Sequence, residues 1–242
     1  MRYWAWPCIA LFAASLASSI LVSSAALAGD TYYISPSEID LVHILAPPPP
    51  PDSPAGKADL QAVLAAVNAR TDASIKQAQD DDQRTVFRFA DVMGPNFKTE
   101  NLPLATKLFQ HVYEDGRAAT LAAKNFFKRT RPFVVDPEIK IIVVELPDFS
   151  YPSSHSTFGN EAGILLAEIV PENAAAIFAR AAEYAHNRVV AGVHFPTDVE
   201  AGRIAASVID NTLLHNSRFE ADFAQAKTEV RAALGLAASS NQ

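Results

Sequence analysis

Prolines divide this chain into helix-length pieces. A proline lacks the backbone donor that a helix interior needs, and it pushes the residue before it out of the α region. Pro47 to Pro51 is an unbroken run, with Pro54 just beyond. Such a run is extended polyproline II, a stiff surface connector that sets a short N-terminal arm apart from the body. Met93-Gly94-Pro95-Asn96 is a second break. Arg131-Pro132 closes a further segment, and Pro171 and Pro196 each stand where a helix opens.

The pieces between these breaks read as helices. Leu60, Val63, Leu64 and Val67 repeat at helical period within residues 59–70. A stretch rich in Asp and Gln over residues 72–91 is a second amphipathic helix, with Asp80-Asp81-Asp82 on its solvated face. Long helical patterns follow at 102–130, 153–169, 171–188, 196–214 and 217–236. Ile139 to Val144 is the one β-like run, a short strand or an extended loop. Only nine glycines accompany abundant alanine, which favours helix over a turn-rich β architecture. There is no internal repeat. The expected fold is all-α: a single compact helical domain of about eight helices over residues 59–242, preceded by an arm and Pro-rich connector at 29–58.

The first 28 residues read as a cleaved secretory signal. Arg2 supplies a minimal positive end, an apolar stretch runs from Cys8 to Val22, and Ala26-Leu27-Ala28 is an A-x-A site before Gly29. Cys8, the single cysteine, falls inside this leader, so the mature chain has no disulfide. No later apolar run reaches the span of a bilayer. The expected location is the periplasm or the exterior, with no stable membrane insertion. The net charge of −7, from 27 acidic against 20 basic residues, argues against nucleic acid as a partner.

Against that acidic background three clusters stand out. Lys124 and Arg131 are seven residues apart, two helical turns, and can project from one side. Pro152-Ser153-Ser154-His155 starts a helix, whose free N–H groups and dipole favour an anion. Arg188, His194 and Asp198 form the third; Asp198 can accept from one ring nitrogen of His194 and leave the other free to attack. Each has a plainer reading alone: a solvated basic face with Lys128 and Arg129 exposed beside it, a Ser N-cap with an exposed histidine, and a His–Asp pair that is structural or metal-binding.

Read in order, Lys-x6-Arg-Pro, Pro-Ser-x-His and Arg-x5-His-x3-Asp resemble the signature of the type 2 phosphatidic acid phosphatase superfamily. The soluble branch, the class A bacterial non-specific acid phosphatases, is similar also in Tyr151-Pro152-Ser153, in the Pro-rich segment and in the helical body. The resemblance covers about residues 35–235. Two positions depart from it: Ser154 replaces a usual glycine, and Asn187 replaces a usual serine. The resemblance implies an acid phosphatase of broad phosphomonoester specificity. His194 would be the nucleophile, Asp198 its orienting partner and His155 the proton donor. Lys124, Arg131, Arg188, Ser153 and Ser154 would hold the phosphate. It implies neither a metal nor another cofactor. Small phosphomonoesters are the expected partners, and a homo-oligomer is open. The competing readings are a vanadate-dependent haloperoxidase, a lipid-phosphate phosphatase and a non-catalytic phosphate-binding protein.

Overall fold

The computed structural model describes Met1 and residues 31–144 and 147–237. The leader and its cleavage site lie outside these residues. The described residues form helices, 3-10 turns and loops, with no strand among them. The α-helices are α1 (Leu41–Ile44), α2 (Pro54–Asn68), α3 (Asp72–Asp80), α4 (Ala90–Met93), α5 (Pro103–Phe127), α6 (Pro132–Val135), α7 (Ser154–Ile169), α8 (Ala174–Val190), α9 (Pro196–Leu213) and α10 (Ser217–Ala233). Seven of these run two turns or more, and α1, α4 and α6 are single turns.

α7 is the centre of the fold, buried nearly all round, with α5, α8 and α9 packed on it. Small residues let its neighbours close in. A Cβ at Gly159 would meet the Tyr184 ring at 2.4 Å, and one at Gly163 would meet Ala181 at 2.8 Å. Leu165, Leu166 and Ile169 fill the core beside Leu108, Val112, Ile209 and Phe219. Truncating one such leucine to alanine costs about 2–5 kcal/mol. The N-terminal arm belongs to this core. Tyr33, Ile34, Ile39, Leu41 and Leu45 are buried in it. The N–H groups of Tyr32, Tyr33 and Ile34 donate to the Asp115 carboxylate at 2.6, 2.8 and 3.2 Å.

Several expectations need correction. The segment 72–91 is not one helix: α3 stops at Asp80, and a 3-10 turn over Val86–Phe89 precedes α4. The acidic run that ends α3 is not a solvated face. Asp81 is fully buried and accepts from Arg180 (2.5 and 3.0 Å), Arg88 (2.9 Å) and Asn187 (2.8 Å). Those donors come from α8 and the turn before α4, which periodicity cannot reveal. α5 ends at Phe127 rather than at Pro132, because Lys128 turns left-handed (φ 48°) and caps it by donating to Lys124 O at 2.9 Å. Lys124 and Arg131 therefore stand on separate elements, Arg131 as the N-cap of α6. Pro171 opens a 3-10 turn, and α8 begins only at Ala174. Residues 139–144 form a loop: Lys140 O and Ile142 O accept from the side chains of Arg70 and Gln79 at 2.7 and 3.1 Å instead of from a strand.

Candidate active site

The turn at Lys128 and the start of α7 bring the sequence clusters to one place. A cleft of about 170 Å³ is lined by Lys124, Arg131, Ser154, His155 and His194, together with Arg84, Tyr113, Arg117, Leu121, Pro147 and Asp148. Ser153, Arg188 and Asp198 lie behind this wall and are fully buried. Ser153 caps α7, accepting from Ser156 N at 3.3 Å, while its own N–H donates to Asp198 O at 3.0 Å. Ser154 Oγ pairs with Thr120 Oγ1 at 2.8 Å.

The cations are anchored by the loop before α7. Lys124 Nζ donates to Phe149 O at 2.5 Å and lies 3.5 Å from Asp148 Oδ2. Arg131 Nε donates to Asp148 O at 2.9 Å, and its Nη2 also pairs with the Asp148 carboxylate. Burial pushes the Lys124 ammonium down to about 8, against the pull of Asp148. Burial alone would raise Asp148, yet Lys124 and Arg131 hold it below the usual carboxylate range. Arg188 Nη1 lies 2.9 Å from Asp82 Oδ1, but no nitrogen of this buried guanidinium has a partner in hydrogen-bond geometry. A buried cation left so poorly satisfied is costly unless an anion completes it.

The two imidazoles are oppositely tethered. His194 Nδ1 is 3.4 Å from both Asp198 Oδ2 and Ser150 Oγ, and its Nε2 is 3.1 Å from Arg131 Nη1. Guanidinium only donates, so Nε2 accepts and Nδ1 carries the proton. Asp198 is itself locked: Oδ2 accepts from Ser150 Oγ (2.5 Å) and Phe195 N (2.8 Å), and Oδ1 from Arg129 Nη1 (2.6 Å). His155 Nε2 faces the Asp82 carbonyl at 3.1 Å, an acceptor, so the neutral ring carries its proton there. Burial, then neighbouring cations, hold both rings well below the usual histidine range. Those cations are chiefly Arg188 for His155, and Arg131 and Lys124 for His194.

Sequence reasoning missed the supports. Arg129, expected to be exposed, is three-way bound: to Asp198, to Asp59 of α2 at 2.7 Å, and over the Phe195 ring at 4.0 Å. Asp59 also accepts from Thr197 N at 3.3 Å. Ser150 and Asp82 carry no spacing signal, since each works through residues distant in the chain. Asn187 turns to Asp81 (2.8 Å) and so braces the α8 face that carries Arg188. Among the described residues no three His, Cys, Asp or Glu side chains gather as a metal-ligand group.

Comparison with known proteins places the chain in a family. Residues 112–220 match the PAP2 superfamily model. A non-specific acid phosphatase of Providencia stuartii is 33% identical over 211 residues, 83% of this chain and 85% of that protein. An acid phosphatase of Zymomonas mobilis is 30% identical over 235 residues, covering 90% of this chain and 89% of that one. The crystal structure of a bacterial vanadium-dependent iodoperoxidase aligns over 71% of this chain with a TM-score of 0.53 at 19% identity, and the chain spans 52% of its length, a likeness of fold alone. The chain thus belongs to the PAP2 superfamily and, within it, to the family of the non-specific acid phosphatases.

Proposed function

We propose that the cleft hydrolyses phosphomonoesters in two steps through a phosphohistidine. The observation that carries this reading is the buried Arg188 guanidinium, held by Asp82 alone and with no nitrogen in hydrogen-bond geometry, close to two imidazoles that burial and neighbouring cations hold below the usual histidine range. Such a cluster is complementary to a small dianion beside a nucleophile and a proton carrier. His194 Nε2 attacks phosphorus; the N–P bond forms as the P–O bond to the leaving group breaks. His155 gives its proton to the departing oxygen. Water then attacks phosphorus and passes its proton to His155, and the N–P bond breaks to release phosphate. Asp198, fixed by Arg129 and Ser150, stabilises the charge that develops on His194. Lys124, Arg131, Arg188 and the start of α7 hold the non-bridging oxygens, so charge stabilisation requires no metal.

The low basicity of His155 explains an acid preference. The resting ring is neutral, so the proton it needs arrives with the substrate. A phosphomonoester is a monoanion below its second pKa of about 6. A monoanion meeting neutral His155 has the same protons as a dianion meeting charged His155. kcat/KM therefore falls as pH rises past that value.

The test is phosphate release from p-nitrophenyl phosphate by the mature protein, its His194→Ala and His155→Ala variants, and the parent in excess EDTA. The reading expects no turnover for the first variant, severe impairment for the second and full activity with EDTA. Near-parental turnover by His194→Ala would end it, and EDTA loss reversed by a divalent ion would make the enzyme metal-dependent. Export to the periplasm or beyond, with the leader removed, predicts an exported chain that begins at Gly29.

A further inference from the structure

Part of the cleft lining is not used by the proposed chemistry. α5 presents Tyr113, Arg117, Leu121 and Lys124 to the cleft, at spacings of four, four and three residues, which is one face of a helix. Lys124 is the phosphate end of this stripe. Arg117 lies two turns back, about 10 Å along the axis at 1.5 Å per residue, beyond the oxygens of the same phosphate. Arg84 faces it from the segment before the 3-10 turn, with its guanidinium 5.7 Å from the Tyr113 ring centroid. Arg84 also lies close enough for its charge to act on His155 and Arg188.

These two arginines differ from the rest. The other arginines of the described residues all donate side-chain hydrogen bonds or pair with a carboxylate. Arg84 and Arg117 do neither among the described residues. In a chain of net charge −7 carboxylates are plentiful, so two guanidiniums across one cleft that have no carboxylate partner among the described residues mark a place where an anion is supplied from outside. Because the stripe leads away from the phosphate site, that anion is carried by the leaving group.

We infer that Arg84 and Arg117 form a second anion subsite that selects phosphomonoesters whose leaving group bears its own phosphate. The inference rests on the phosphatase reading and names its substrate class: bisphosphorylated small molecules, with Tyr113 and Leu121 as the surface beneath the connecting group.

The experiment compares kcat/KM for adenosine 3′,5′-bisphosphate, 5′-AMP and p-nitrophenyl phosphate in the parent and in the Arg84→Gln/Arg117→Gln double variant. The parent should favour the bisphosphate over 5′-AMP at least tenfold at low salt, more than the twofold that a second scissile group gives. The preference should shrink as NaCl rises, since Arg117 is exposed. The double variant should lose the preference, and Arg117→Gln alone should reduce it while p-nitrophenyl phosphate stays within threefold. Equal parental kcat/KM for the two nucleotides overturns the inference, and so does an equal loss on all three substrates, which would place both arginines at the scissile phosphate or in the fold. Calorimetry on His194→Ala separates the two readings. If nothing is turned over by the parent, yet the bisphosphate binds tenfold tighter than 5′-AMP in a manner that needs Arg84 and Arg117, the subsite stands and the phosphatase reading falls. If binding also shows no preference, the subsite falls.

Discussion

Gly202 is where the two halves of the site meet, and Gly202→Ala tests whether their spacing sets the chemistry. A Cβ there would lie 2.6 Å from Ser153 O and 2.7 Å from Ser156 Cβ. The first is backbone and cannot rotate away. Ordinary contact begins near 3.4 Å, so α9 must retreat from the start of α7 by up to about 0.8 Å. Two hydrogen bonds oppose that movement: Ser153 N to Asp198 O at 3.0 Å and Ser156 Oγ to Val199 O at 2.6 Å. α9 carries Asp198, with His194 just before it, while α7 carries His155. The displacement thus opens the gap between His194 and His155, the proposed nucleophile and proton donor. Overpacking costs about 1–3 kcal/mol, partly offset by about 1 kcal/mol of helix propensity gained over glycine. A misplacement approaching 1 Å costs up to roughly 100-fold in rate. The expected result is kcat/KM on p-nitrophenyl phosphate 10- to 100-fold down with only a few degrees lost in Tm. Gly163→Ala is the control, since it crowds Ala181 at 2.8 Å farther along α7. It should lower Tm without lowering kcat/KM. Gly202→Ala activity within twofold of the parent, at a lowered Tm, would refute the reasoning.

Glu161 and Asp210 are fully buried without hydrogen-bond partners, and burial, then neighbouring carboxylates, push both well above the usual carboxyl range. A raised acid favours the fold while protonated, so the stability it contributes is present at acid pH and is lost as pH rises. Glu161→Gln should therefore raise Tm near neutrality and give no gain near pH 4; an equal gain at both in scanning calorimetry would contradict this. Arg129→Met strips the partner from buried Asp59 and Asp198, so urea melts should show about 3–5 kcal/mol lost, with part recovered by adding Asp59→Asn. With Lys124 pushed down to about 8, inhibition by inorganic phosphate should weaken between pH 7 and 9. Lys124→Met should bind phosphate more weakly throughout and lack that inflection.

The helices were legible because their faces repeat at helical period and prolines mark their starts. Pro196 and the Ser153 cap are read directly from local chemistry. The three clusters were legible as types and spacings, and the fold brings Lys124, Arg131, Ser154, His155 and His194 to one cleft wall. What stayed hidden depends on contacts between distant residues. Asp81 reads as a surface acid until Arg180 and Asn187 close over it from α8. Arg129 reads as a solvated neighbour of Lys128 until α2 supplies Asp59. The end of α5 is not legible, because Lys128, an ordinary residue, takes a left-handed turn that nothing local demands. The arm reads as separate because its sequence says nothing of Asp115, which receives its backbone donors.

The loop carboxylate of Asp148 has a kinetic consequence. It touches both Lys124 and Arg131 while remaining partly open to solvent. The enzyme therefore carries a counter-ion on a tether at the mouth of its pocket. In the proposed cycle an arriving phosphoryl group competes with that carboxylate for Lys124 and Arg131, and a departing phosphate is replaced by it, so entry would be made harder and exit easier.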